Sequence, residues 1–315
     1  MPNISYNDIV FAYSVIKKYM HRTPVLTSQY FNDLTGKSIF FKAENFQKTG
    51  AFKARGALFA ITHSSGNHGA ALAYAAKMFN IPCTVVCPMN VPTSKIAAVE
   101  AYGAKIEFCP STMKDRISTC QKLIDTTGLK LIHPHDDYDI MKGQGTITLE
   151  LFEDIPDLDA ILVPVGGGGM LSGIAVCARE VQSQCKVFAV EPKGKGLENC
   201  LRTGVPEWSE SSGYINTIAD GLRVQPLGQR CFPNVLELCE KTVFVVDDAE
   251  IATAMKKVYE RLKVVIEPSS AVGVAALYKD AFQALGPSIR NVAVILCGGN
   301  VDLDCLPWIK CQNNQ

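Results

Sequence analysis

Along nearly the whole of this 315-residue chain, short and continuously apolar runs alternate with stretches of helical character. The runs are SIFFKAE, CTVVCP, KIEFCP, AILVPV, VFAVEP, TVFVV and VAVILCGG; the stretches between them include GAFKARGALFA, TSKIAAVEAYG, Met113 to Thr127, MLSGIAVCARE and DAEIATAMKKVYERLKV. A strand with no polar alternate positions must be covered on both faces. Strands joined through helices return to the same edge and pair in parallel. The spacing therefore predicts an α/β fold built on a parallel sheet with helices on both sides. No internal repeat with a period of roughly 20 to 50 residues is present.

Charge narrows the function. The chain carries 31 basic and 31 acidic side chains and a formal net charge of zero, so it offers no basic footprint for nucleic acid or an acidic membrane. A small molecule is the expected partner. The 12 cysteines form no C-x-x-C pair, which argues for reduced thiols in a cytoplasmic setting rather than a disulfide scaffold or a zinc ribbon. The first residues show no apolar core with a small-residue cleavage site, so no secretion signal is expected. Ala160 to Ala178 is uncharged, but Pro164 and the run Gly166 to Gly169 predict a buried strand, a turn and a helix there instead of a membrane span.

Three segments carry chemistry. In Val163-Pro-Val-Gly-Gly-Gly-Gly-Met-Leu-Ser172 an apolar strand runs into Gly166, Gly167, Gly168 and Gly169 and then into a helix start at Met170. Backbone N–H groups there can converge on a phosphate, although a plain flexible turn has the same composition. Lys53 stands beside Phe52 just inside a helix start, where desolvation would lower its pKa and make it a nucleophile toward an aldehyde; most lysines simply face solvent. The turn Ser64-Ser-Gly-Asn-His-Gly69 opens the next helix, as an ordinary cap or as a clamp for a carboxylate.

Taken with AAVEAYGA, GQGTITLEL, Thr217 to Gly221, Glu267-Pro-Ser-Ser-Ala-Val-Gly273 and Leu296-Cys-Gly-Gly-Asn-Val-Asp302, these segments resemble the fold-type-II pyridoxal-phosphate enzymes of the serine racemase and serine/threonine dehydratase group. The resemblance implies a two-domain, tryptophan-synthase-β-like fold. A large cofactor-binding domain would span 1–61 and 137–315, and a small mobile one 62–136. It implies pyridoxal 5'-phosphate, joined to Lys53, gripped at its phosphate by Gly166 to Gly169 with Met170, packed on Phe52, met at its ring hydroxyl by Asn67 and at its ring nitrogen by Cys297. Lys53 and Ser65 would be the catalytic pair, moving the α-proton on opposite faces. Ser64, Ser65, His68 and Arg116 would receive the substrate. A homodimer, ATP as an effector, and Mg2+ or Ca2+ bound through Glu191 are implied as well. The second acidic metal ligand aligns with Leu197, and Glu198 is the nearest substitute.

The implied reactions are interconversion of L- and D-serine and elimination from serine or threonine to give ammonia and an oxo acid. Alternatives are a dehydratase without racemase activity, favoured by His133-Pro-His-Asp-Asp137, and a catalytically impaired, shortened homologue. Aspartate racemisation is a more distant reading. The shortened homologue rests on an independent argument. Between the Ala51–Ala60 helical stretch and the Ser64 turn stand only Ile61, Thr62 and His63, too few for a crossover and another buried strand of the usual ~5 to 6 residues. The chain is expected to lack an element near 61–62.

Overall fold

The computed structural model describes residues 4–59, 66–89, 93–110, 112–128, 133–208 and 213–309. Its main sheet has six strands in the order β1 (Val25–Thr27), β2 (Ser38–Lys42), β8 (Asn291–Ile295), β5 (Ala160–Pro164), β6 (Lys186–Pro192) and β7 (Phe244–Val246). A separate pair, β3 (Thr84–Pro88) and β4 (Lys105–Cys109), lies parallel in register Thr84 to Lys105. Within the main sheet every pairing is parallel except the edge strand β1, which runs antiparallel to β2. The expected α/β class is therefore observed, with one short antiparallel edge added.

Two-sided burial follows from the composition of the strands. In β5, Ala160 and Leu162 enter one core while Ile161 and Val163 enter the other. In β8 and the two residues after it the same alternation sends Val292, Val294 and Leu296 one way and Ala293, Ile295 and Cys297 the other. Side chains alternate across a strand, so a strand apolar at every position serves two cores at once.

On one face, the helix Tyr138–Asp154 packs between the helices Lys53–Phe59 and Gly169–Val181. Glycines on these helices set the spacing. A Cβ added at Gly143 would stand 2.5 Å from the Cα of Gly56, and one at Gly173 would stand 2.2 Å from the carbonyl oxygen of Met141. GQGTITLEL is thus a packing motif in which backbone meets backbone.

Across the short helix Lys53–Phe59 runs a buried ionic network. Arg55, fully buried, donates to both carboxylate oxygens of Glu44 at 2.7 and 2.8 Å and to both of Glu150 at 2.8 and 2.9 Å. Lys42 adds a bond to Glu150 at 2.7 Å. Two cations against two carboxylates balance, which is the condition under which buried charge is tolerated. The network fixes the helix on which Lys53 sits.

Candidate active site

Parallel α/β sheets place ligands beyond the carboxyl ends of their strands, and a cavity of about 560 Å³ lies at that edge here. The end of β5 delivers Gly166 to Gly169 and Met170 to its wall, and the residues after β8 deliver Cys297. Phe52 and Lys53 reach it because the Phe52 N–H donates to the Cys297 carbonyl at 3.1 Å and Ala51 bridges to Gly298. From the other side come Asn67 and His68, at the start of the helix Asn67–Phe79, and Arg116, from the helix Met113–Thr127. One cavity therefore gathers every sequence-predicted cofactor or substrate residue that is described. Ser64 and Ser65 lie outside the described residues.

Lys53 is held with its Nζ donating to the Pro134 carbonyl at 2.8 Å and 5.1 Å from the Phe52 ring centroid. Burial pulls its pKa down to about 8, against the upward pull of Cys297, Cys231 and Glu267. Cys297 is buried and accepts from the Ser270 hydroxyl at 3.5 Å. Burial, followed by the charge of Glu267, pushes its pKa far up, so the thiol stays neutral. Arg116 stacks 5.8 Å from the Tyr214 ring centroid, and among the described residues its buried Nε has no hydrogen-bond partner.

Two further residues belong to this wall, each inside a segment read from the sequence but neither expected to have a role at the site. Glu267 accepts from the Asn67 amide with both oxygens, at 2.8 and 3.0 Å, while the Asn67 carbonyl accepts from Asn300 at 2.9 Å. Its signal was a carboxylate directly before a proline at a helix start, within a segment noted only as a motif. His135 packs on the glycine loop so closely that a Cβ at Gly167 would lie 2.0 Å from its ring, and one at Gly169 2.5 Å from its carbonyl oxygen. Burial, reinforced by His133 and Lys53, holds its pKa well below that of a free imidazole.

The pyridoxal-phosphate dependent enzyme family matches residues 16–298. The chain belongs to this family. Among its relatives, serine racemase of Dictyostelium discoideum is 44% identical over 323 aligned residues, covering 98% of each chain. That alignment is longer than the 315 residues here, so gaps open in this chain against its relative. A crystal structure of a pyridoxal 5'-phosphate-dependent aspartate racemase superposes with a TM-score of 0.96 at 44% identity, covering 98% of this chain and 99% of the other. The threonine deaminase of T.th. superposes with a TM-score of 0.88 at 36% identity, over 95% and 99%.

The residues present fit the family's cofactor. Gly166 to Gly169 form a cradle closed to side chains, leading into a 13-residue helix whose N-terminus no side chain caps; backbone N–H groups and the helix dipole suit a phosphate. A lysine with a lowered pKa opens on the same cavity, as a carbonyl-bearing cofactor needs.

Glu191 does not fit a metal. It is buried and accepts from the Leu197 N–H at 3.1 Å, Leu197 itself is buried and apolar, and Glu198 is exposed. Among the described residues no three His, Cys, Asp or Glu side chains gather to hold an ion. Burial pushes the Glu191 pKa up to about 7 and pulls that of nearby Lys195 down to about 7, and the attraction between the two groups opposes both shifts.

Proposed function

We propose that this enzyme interconverts L- and D-serine with pyridoxal phosphate, and that it eliminates water from serine or threonine as a side reaction, releasing ammonia. The reading rests on the 44% identity with a serine racemase across 98% of both chains. The similarity to a threonine deaminase supports the elimination.

When bound, pyridoxal phosphate supplies the electron sink that stabilises negative charge on the substrate α-carbon. Gly166 to Gly169 and Met170 would hold its phosphate, Phe52 its ring face, and Asn67 its ring hydroxyl. The neutral Cys297 thiol is a weak hydrogen-bond donor and would not keep a ring nitrogen protonated as a carboxylate does. Lys53 is the base on one face, since a lowered pKa leaves a useful fraction of its amine neutral near pH 8. Ser65 is assigned to the opposite face, Ser64 and His68 to the substrate carboxylate, and Arg116 to the substrate side chain. Racemisation needs proton transfer on both faces, whereas loss of the β-hydroxyl after α-proton removal needs only one. Division into 1–61 with 137–315 and 62–136, closure of the smaller part over substrate, a homodimer, a cytoplasmic site and ATP as effector complete the proposal.

The test is chiral product analysis of the purified protein loaded with cofactor and given L-serine, L-threonine and L-aspartate in separate reactions, with and without ATP. D-serine together with pyruvate is the expected result. Pyruvate without D-serine would leave the dehydratase alone. The TM-score of 0.96 with an aspartate racemase favours D-aspartate as the second reading, and its formation in place of D-serine would establish it. Absence of every product, with no visible absorption from bound cofactor, would point to the impaired homologue.

A further inference from the structure

Behind the cavity wall, at the end of β6, the turn Lys193-Gly-Lys-Gly196 carries a lysine inward. Gly194 and Gly196, at φ of 100° and 78°, adopt the left-handed backbone that the turn demands, and Lys195 between them is fully buried. Its Nζ donates to the carbonyls of Val224 at 2.6 Å and Gln225 at 2.9 Å. Its own carbonyl accepts from the Trp208 indole at 2.8 Å. Nearby, the buried Glu191 holds the start of the next helix through the Leu197 N–H.

Two peptide carbonyls beside a buried carboxylate are the oxygen donors that a hard cation seeks, and here a lysine amine already occupies the carbonyls. We propose that Lys195 takes the place a divalent cation would fill at this turn, and that it clamps the cavity wall to β6 without any bound metal.

The clamped carbonyls belong to a folded-back segment. Tyr214 bridges to Val224, the Ile215 N–H donates to the Arg223 carbonyl at 2.8 Å, and that of Gln225 to the Gly213 carbonyl at 3.0 Å. Tyr214, Asp220, Leu222, Arg223 and Val224 of this segment line the cavity, and Lys195 grips its return limb at Val224 and Gln225. Lys195 is thus a positioning residue. The inference concerns the wall, not the substrate, and stands whichever amino acid the enzyme turns over.

The first arm of the test uses the wild-type holoenzyme. Its divalent metal content is measured by mass spectrometry, and amide hydrogen exchange over 213–225 is followed with EDTA, with Mg2+ and with Ca2+. The proposal expects less than about one tenth of an equivalent of metal, and the same exchange in all three. A stoichiometric divalent ion whose removal speeds exchange in 213–225 would overturn it. In the second arm, Lys195→Met keeps chain length while removing the donors. Exchange over 213–225 should rise about tenfold, with β8 unchanged; unchanged exchange in 213–225 would also overturn the proposal. Should this variant not fold, the first arm still decides.

Discussion

In the proposed reaction the chemistry of the site turns on one amine. Lys53 has its pKa drawn from 10.5 to about 8 by burial, and only the neutral amine attacks a carbonyl. Cofactor loading of the apo-protein should therefore accelerate roughly tenfold per pH unit below 8 and level off above it. A solvent-exposed lysine would instead give a rate still rising toward 10.5. Stopped-flow absorbance between pH 6 and 10 distinguishes the two profiles. Lys53→Ala should abolish the adduct that borohydride reduces, checked by intact-protein mass. Lys53 was legible because an aromatic neighbour and a helix start mark a semi-apolar setting. Glu267 and His135 were not, since a carboxylate and an imidazole in a sequence reveal nothing of the asparagine amide or glycine loop that folding brings against them.

Elements were legible where local pattern and tertiary demand agree. The strands β2, β5, β6 and β8 coincide with largely apolar runs because each faces two cores, whereas β4, expected from the same kind of run, leaves Lys105 and Phe108 exposed. Strand β1 has only three residues and one partner, too little pattern to read. The 17-residue helix Tyr138–Asp154 was not anticipated as a helix either. Gly143, Gly145, Thr146 and Thr148 depress its intrinsic helicity, and what compensates is the close backbone packing that the same glycines allow. Gly143→Ala would force a Cβ to 2.5 Å from Gly56 Cα, where no flexible side chain can yield. A loss of about 1–3 kcal/mol is expected from such overpacking, measured by urea denaturation of the apo-protein. Arg55→Met should cost more, about 3–5 kcal/mol, because it strands Glu44 and Glu150 in the interior with Lys42 alone to compensate. Calorimetry of the two variants side by side tests that order.

At the scale of the molecule, the cavity exists only because two layers meet. The main sheet contributes the glycine loop, Glu267 and Cys297; the layer carrying β3 and β4 contributes Asn67, His68 and Arg116. The stretch near 61–62, where an element is expected to be lacking, lies outside the described residues, and among the described residues the second sheet consists of β3 and β4 alone. Bonds that cross between the two layers therefore help to hold them together. Asn67 makes such bonds: it donates to Glu267 and accepts from Asn300, which in turn donates to the Thr49 carbonyl at 2.8 Å. Asn67→Asp would replace the donor with a second carboxylate facing Glu267, turning attraction into repulsion at nearly constant volume. The layers should then separate more readily while each remains folded. Amide exchange over 84–109 should accelerate about tenfold, with the rates in β5, β6 and β8 unchanged. Because the repulsion vanishes when either carboxylate is removed, Asn67→Asp combined with Glu267→Gln should restore the slower exchange.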